Sequence, residues 1–120
     1  MKKFDLEDRL IRYTINVWEL LDSLEPSAFS KYITGQLIRS GASPALNYGE
    51  AQSAESQKDF IHKLKISRKE LRETKVCLKI IKEKPLLNNF DQLESVLSET
   101  DELLAIFSQS IKTASQRLSK

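Results

Sequence analysis

The chain has 120 residues, of which 40% are hydrophobic and 30% charged, with three Gly, three Pro and a formal net charge of +2. This length suits one domain, and the composition is typical of a soluble helical protein rather than a disordered or β-rich one. No apolar run approaches the roughly 18 residues that a membrane span needs. The net charge is too small to identify a nucleic-acid-binding protein.

The N-terminal residues Met1-Lys2-Lys3 are basic, but charged residues follow them instead of the apolar stretch of a secretory signal. The lone Cys77 permits no intramolecular disulfide, which fits a reducing compartment. We therefore expect a cytoplasmic protein.

Apolar residues recur at alternating spacings of three and four, which is the heptad pattern of helices that pack side by side. Four helices are predicted, over about residues 6–24, 27–50, 54–83 and 89–118. Asp5 is the predicted N-cap of the first helix, Pro26 suits the first turn of the second, Ser53 can cap the third, and Asn89 with Gln92 resembles a capping box for the fourth. The sequence predicts an all-α, antiparallel up-down four-helix bundle with left-handed packing.

The heptad ladders define the expected core of this bundle. Its predicted members are Leu6, Leu10, Tyr13, Val17, Leu20 and Leu24 in the first helix, Phe29, Tyr32, Ile33 and Leu37 in the second, Phe60, Leu64, Ser67, Leu71, Thr74, Leu78 and Ile81 in the third, and Phe90, Leu93, Leu97, Thr100, Leu104, Phe107, Ile111, Ala114 and Leu118 in the fourth.

Seven apolar residues fall outside these ladders, and Ile66 and Ile80 share a heptad position that faces away from the core. We expect them to contact a second copy of the chain, because unpartnered apolar surface indicates association. The alternative is a broad core face with scattered exposed apolar side chains. The seven residues are Ile11, Trp18, Ile66, Val76, Ile80, Val96 and Leu103.

The second helix carries a polar insert whose members follow at spacings of four, three, four and three and therefore share one face. Pro44 lies within it and predicts a kink or break in the helix. One interpretation is a ligand pocket at the kink. The favoured one is a buried polar network that fixes the register between helices two and three, with Arg39, Glu70 or Thr74 as partners. The insert comprises Gln36, Ser40, Ser43, Asn47 and Glu50.

The stretches QLIRSGASPALNYGEAQ and DFIHKLKISRKELRET resemble the bacterial four-helix-bundle family encoded within intervening sequences of 23S rRNA genes, and the resemblance covers about residues 4–113. Two departures concern Tyr48-Gly49-Glu50-Ala51, where the family usually has Ile-Ala-Glu-Gly, and Cys77, where many members carry Trp. The residues that match the family pattern are Gln36, Leu37, Arg39, Ser40, Ser43, Asn47, Glu50, Glu70, Glu73 and Thr74.

The resemblance implies a ring-shaped homopentamer without established enzymatic activity. Some relatives are accessory proteins of the reverse transcriptases of diversity-generating retroelements, and they bind the enzyme and nucleic acid through a basic surface. The partners expected from the resemblance are therefore further copies of the chain and RNA or a reverse transcriptase. No membrane, small-molecule substrate or cofactor is expected.

Residues 58–84 contain ten Lys or Arg and four Asp or Glu, whereas the rest of the chain has a net charge of −4. The basic residues form a stripe opposite the core, which predicts salt-dependent binding to phosphates. Since no aromatic residues alternate with them, binding should follow backbone shape rather than base sequence. The stripe comprises Lys58, Lys65, Arg72 and Lys79 at one heptad position and Arg68, Lys75 and Lys82 at the neighbouring one.

The alternative is a solvated basic face that acids of the fourth helix neutralise. Under that alternative the protein is a protein-interaction adaptor without affinity for nucleic acid. The acids concerned are Asp91, Glu94, Glu99, Asp101 and Glu102.

Catalytic and metal-binding patterns are weak. His62 and Cys77 are fifteen residues apart on one predicted helix, about 22 Å at 1.5 Å per residue, too far for a nucleophile and its base. Asp59-x-x-His62 has the spacing of a di-iron ligand pair, but such sites need two pairs and the chain has one His. There is no Gly-rich phosphate loop. We expect a non-enzymatic oligomeric scaffold that binds RNA or a nucleic-acid-handling protein through the third helix.

Overall fold

Four α-helices account for nearly all of residues 5–84 and 90–119, which are the residues that the computed structural model describes. α1 spans Leu6–Leu21, α2 Ala28–Gln52, α3 Gln57–Glu83 and α4 Phe90–Leu118. No strand occurs within these residues. The predicted all-α four-helix fold is confirmed, and the predicted helix boundaries differ from the observed ones by at most three residues.

Side chains cap the first three helices. Asp5 caps α1 by accepting a hydrogen bond from the backbone N–H of Asp8, as predicted. Ser27 caps α2 and exchanges reciprocal hydrogen bonds with Ser30. Pro26 therefore precedes the N-cap and lies outside the first turn, because Ser27 supplies the acceptor that the free helix N–H groups need.

The junction between α2 and α3 also differs from the prediction. Ser53 ends α2, and its backbone N–H donates to the carbonyl oxygens of Glu50 and Ala51. Ser56, three residues later, is the N-cap of α3 and accepts from the backbone N–H of Asp59. The prediction that Ser53 caps α3 was wrong, because α2 continues to Gln52 and leaves Ser53 to close its last turn. The capping box predicted at Asn89 lies outside the described residues.

Consecutive helices pack against each other, and α1 also contacts α4. Contacts between α2 and α3 run in opposite directions along the two helices, from the hydroxyl of Ser67 on the Pro44 carbonyl oxygen to the hydroxyl of Thr74 beside Ser40. This order supports antiparallel neighbours. α2 is continuous through Pro44. The kink at Pro44 and the left-handed packing stay predictions.

The core follows the heptad ladders, and Ser67, Thr74 and Thr100 are buried among its apolar members. Tyr32 was wrongly assigned to the core, since it is 64% exposed beside the buried Ile33. Leu118 is also exposed, near the end of α4.

α4 presents a broader core face than its predicted ladder. Val96 and Leu103, which were expected outside the core, are buried. Leu97 and Leu104, the next residues along the chain, are partly buried against the same core. In each of these two pairs of consecutive residues, both side chains therefore contact the core. The side chain of Phe90 lies outside the part of the structure that is described.

Candidate nucleic-acid interface

The basic stripe lies along α3 on the side that faces α4 and solvent. Ser56 caps the helix, so the stripe begins in the first turn, where the partial positive charge of the helix end adds to that of Lys58. Within the stripe Arg68 and Lys75 are half-buried, and the others are exposed. The exposed members are Lys58, Lys65, Arg72, Lys79 and Lys82.

Acidic residues of α4 pair with two members of the stripe. The Nζ atom of Lys75 lies 2.7 Å from a carboxylate oxygen of Asp101, and that of Lys82 lies 2.8 Å from Glu94. The hydrogen bond to Glu94 raises the pKa of Lys82. These contacts neutralise two of the three positive charges in the C-terminal part of the stripe.

Two of the three remaining acids of α4 that were expected to neutralise the stripe pair with another helix. Glu99 and Glu102 both accept hydrogen bonds from Arg9 of α1, at 2.6–2.7 Å and 3.2 Å. Among the described residues, Asp91 forms no ion pair with the stripe. The neutralised-face alternative therefore holds for Lys75 and Lys82 and leaves the rest of the stripe unbalanced.

The N-terminal half of α3 lies beside the half of α4 that has no acid. All five acids of α4 precede Leu103, and residues 103–119 contain none. The side-chain amide of Gln57 donates to the Ala114 carbonyl oxygen at 3.4 Å, which fixes the register of the two helices here. Although Lys63 pairs with Glu50, none of the stripe residues in this part of α3 forms an ion pair within residues 5–84 and 90–119. We call them the basic end: Lys58, Lys65, Arg68 and Arg72.

A shallow groove of about 270 Å³ lies at the start of the basic end, between the first turns of α3 and the last turns of α4. Lys58 and Lys65 line it together with His62, and Ser115 and Leu118 form the opposite wall. The groove therefore presents positive charge without a carboxylate in its lining, which is the chemistry that a phosphate group requires.

The division of the stripe into two halves was missed from the sequence, although one signal could have revealed it. The acids of α4 cluster between Asp91 and Glu102, and in an antiparallel pair of helices that segment lies beside the C-terminal half of α3. Lys79 has no ion pair among the described residues, but it shares a groove with Glu83, Glu94 and Asp101.

The polar insert of α2 lies beside α3, and one contact of the predicted kind is present, between Gln36 and Arg39. Arg39 bridges to Glu70 at 2.9 Å and to Glu73, and its guanidinium also donates to Gln36. Ser40 and Thr74 lie together in the buried interface. These contacts link the middle of α2 to the middle of α3.

Two residues of the insert have partners other than those expected. The side-chain amide of Asn47 donates to the hydroxyl and carbonyl oxygens of Ser43, one turn earlier in the same helix. Glu50 is exposed and pairs with Lys63 at 2.9 Å. Only part of the insert therefore joins the two helices, and its structural role stays a prediction.

Partial burial and the neighbouring carboxylate of Glu73 raise the pKa of Glu70, while Arg39 opposes this rise. The hydrogen bond and charge of Glu73 in turn raise the pKa of Arg39. The positive charge of Arg39 thus offsets the repulsion between the two neighbouring carboxylates.

The residues considered for catalysis occupy unlike environments. His62 is exposed at the basic end, whereas Cys77 is buried near α2, and burial raises the pKa of its thiol.

In the described part of the chain, no group of three or more His, Cys, Asp or Glu side chains could hold a metal ion. None of the described helices is long and apolar enough to cross a membrane.

Comparison with curated proteins gives no match. A crystal structure at 1.70 Å resolution, of a protein with unknown function from the S23 ribosomal protein family of Bacteroides thetaiotaomicron VPI-5482, is similar to this chain. The two share 28% sequence identity with a TM-score of 0.78, over 90% of this chain and 99% of that one. The model of the family described as 23S rRNA-intervening sequence protein matches residues 2–109. Because this match spans most of the sequence and the fold agrees, the chain belongs to the 23S rRNA-intervening sequence protein family.

Proposed function

We propose that this protein is a non-enzymatic, self-associating scaffold that binds the phosphate backbone of RNA through the basic end of α3. The observation that carries the proposal is the absence of acidic partners around Lys58, Lys65, Arg68 and Arg72 among the described residues, while Lys75 and Lys82 of the same helix have such partners. Cations without internal partners can release counterions from phosphates without first breaking an ion pair.

The ligand should be recognised by the shape of its backbone. Phe60 is the one Phe, Tyr or Trp residue of α3, and it is half-buried against the core, so the imidazole of His62 is the one ring of α3 that is exposed beside the basic end. Unpaired bases are usually held by stacking on exposed aromatic side chains. A single imidazole is a small stacking surface beside four cations, so contacts to phosphates dominate and a double helix is a better ligand than a single strand.

Self-association is the second part of the proposal, and we expect a homopentamer. Apolar side chains are exposed on two helices that lie on different sides of the bundle, namely Ile11 and Trp18 on α1 and Val76 and Ile80 on α3. A closed ring needs two different surfaces that complement each other. Repetition around a ring would bring several basic ends together and increase avidity for a long polyanion.

Two triple variants of equal charge change test the assigned surface. Lys65→Gln, Arg68→Gln and Arg72→Gln together remove unpaired cations, whereas Lys75→Gln, Lys79→Gln and Lys82→Gln together remove the half that faces the acids of α4. Binding of a fluorescein-labelled RNA duplex is followed by anisotropy at several salt concentrations, with circular dichroism and sedimentation as controls for folding and assembly.

We expect the first variant to lose about tenfold or more in affinity, and its dependence on salt to fall by roughly two to three units of log K per log salt, since each phosphate contact contributes about 0.9. The second variant should lose about threefold or less. Equal losses would reject the basic end as the binding surface. Absence of RNA binding by the unaltered protein, together with a co-purifying protein whose binding does not depend on salt, would favour the adaptor instead.

A further inference from the structure

The outward surface of α2 between Gly35 and Gly49 is apolar, and the exposed guanidinium of Arg39 lies at its border. Gly35, Ala42 and Gly49 recur every seven residues along it, and a Cβ atom added at Gly35 or Gly49 would meet nothing within 4 Å. Two large apolar side chains flank this line, Ile38 at 47% and Leu46 at 67% exposure. A solvent-facing helix surface normally carries charged and polar residues. The surface therefore has the character of a contact that the single chain leaves uncovered.

These five residues form a palindrome about Ala42. The spacings from Gly35 to Ile38, Ala42, Leu46 and Gly49 are three, four, four and three. At about 100° per residue, all of them point within about 40° of the direction of Ala42. A second α2, turned around a two-fold axis beside Ala42, would place Gly35 opposite Gly49 and Ile38 opposite Leu46. The small residues allow the two helix axes to approach closely, while the large ones fill the space on either side.

The charges near the ends of α2 complement each other under the same rotation. Lys31 is exposed, and no ion pair involves it within the described ranges. The two-fold axis would carry it to the end of the partner's α2, beside the exposed carboxylates of Glu55 and of Glu50, the second of which also pairs with Lys63 of its own chain. Both copies would gain this contact, since a two-fold interface is made of the same patch twice.

Trp18 widens the apolar surface on the α1 side. Its indole N–H lies 3.4 Å from the carbonyl oxygen of Ile38, so the ring is held next to Ile38 although it is 45% exposed. The surface thus extends over two helices, beyond the single line of small residues.

We propose that α2 is a self-docking surface, on which a second copy of the chain packs its own α2 antiparallel around a two-fold axis at Ala42. This contact is independent of RNA binding, and it differs from the head-to-tail contact that closes a ring. In a ring of five, it would join two rings.

Cysteine cross-linking tests the symmetry directly. In a Cys77→Ala background, Ala42→Cys should cross-link to itself with a short bis-maleimide reagent, because the axis places both copies of position 42 together. Gly35→Cys and Gly49→Cys should each cross-link poorly alone and efficiently when the two variants are mixed. A head-to-tail contact would not bring position 42 to its own copy, so absence of the Ala42→Cys product would overturn the proposal.

A matched pair of substitutions shows whether the apolar surface of α2 is responsible. Leu46→Glu should reduce the Ala42→Cys cross-link by about tenfold or more, whereas Ala105→Glu, at an exposed apolar residue of α4 that belongs to neither proposed contact surface, should leave it unchanged. Circular dichroism verifies that both variants fold. Equal yields in the two variants would contradict the proposed interface, whatever the outcome of the RNA-binding experiment.

Discussion

The hydroxyl oxygens of Ser40 and Thr74 lie 2.9 Å apart between α2 and α3, and both side chains are fully buried. Thr74 Oγ1 also lies 3.0 Å from the carbonyl oxygen of Glu70, one turn earlier. Thr74→Val keeps the shape of the side chain but deprives the buried Ser40 hydroxyl of this partner, so we expect a loss of about 1–3 kcal/mol in the free energy of unfolding.

Ser40→Ala should cost less than Thr74→Val, because Thr74 keeps the Glu70 carbonyl as its partner. The double variant should therefore lose clearly less than the sum of the two single losses. Urea unfolding of the four proteins measures this coupling. Strict additivity would show that the two hydroxyls do not act as a pair.

Burial of Ser67, Thr74 and Thr100 could be predicted from the sequence because each takes a place in a heptad ladder of larger apolar residues. Heptad position decides whether a side chain faces inward, whatever its polarity. Tyr32 and Leu103 show the limit of this argument. A single heptad frame assigns one stripe to each helix, and the width of that stripe depends on how closely the neighbouring helices approach.

Which members of the basic stripe form ion pairs could not be predicted, because this depends on the positions of the helices along their axes relative to one another. The sequence shows Lys75 and several acids of α4 without showing that Asp101 is the partner of Lys75. The sequence also does not show that Arg9 of α1 forms ion pairs with Glu99 and Glu102. Such pairings require the axial positions of three helices, which the heptad pattern leaves undetermined.

The three glycines of α2 should respond differently to substitution by Ala. A Cβ atom at Gly41 would lie 3.0 Å from Cγ1 of Val17, which is fully buried. Because a β-branched side chain has essentially one rotamer in a helix, Val17 cannot turn away. We expect Gly41→Ala to destabilise the protein by about 1–3 kcal/mol, despite the better helix propensity of Ala.

Gly35→Ala and Gly49→Ala are the matched controls, since an added Cβ meets open space at both sites. Each should stabilise the protein by about 0.5–1 kcal/mol through helix propensity alone. Thermal and urea unfolding at low protein concentration, where self-association contributes little, measure these effects. A stabilising Gly41→Ala would show that the contact between α1 and α2 is looser than the structure indicates.

Arg39 should limit the loss of unfolding free energy that occurs when its carboxylate partner Glu70 ionises beside Glu73. Partial burial and Glu73 raise the folded-state pKa of Glu70. The stabilising contribution of protonated Glu70 is therefore complete below its unfolded pKa, near 4.3, and is lost as the pH rises through the folded value. Arg39→Met removes the charge that opposes this loss, so its urea midpoint should fall between pH 4.5 and 7 more than that of the unaltered protein.

Adding Glu70→Gln to Arg39→Met should remove most of the extra pH dependence, because the repulsion between Glu70 and Glu73 disappears. Urea midpoints of the single and double variants at both pH values provide the comparison. If Arg39→Met shifts the midpoint equally at pH 4.5 and 7, the guanidinium acts through packing rather than through charge.

Tyr13 should make the protein sensitive to alkali. Its hydroxyl lies 2.7 Å from Thr100 Oγ1, and burial raises its pKa above the ordinary value near 10, while the hydrogen bond to Thr100 acts in the opposite direction. The neutral phenol thus contributes stability below pH 10, and that contribution falls as the unfolded state loses its proton at higher pH. The slope approaches about 1.4 kcal/mol per pH unit for one proton. Tyr13→Phe should flatten the decline in urea stability between pH 9.5 and 11.5 by up to this amount, and an unchanged slope would mean that Tyr13 ionises in the folded state.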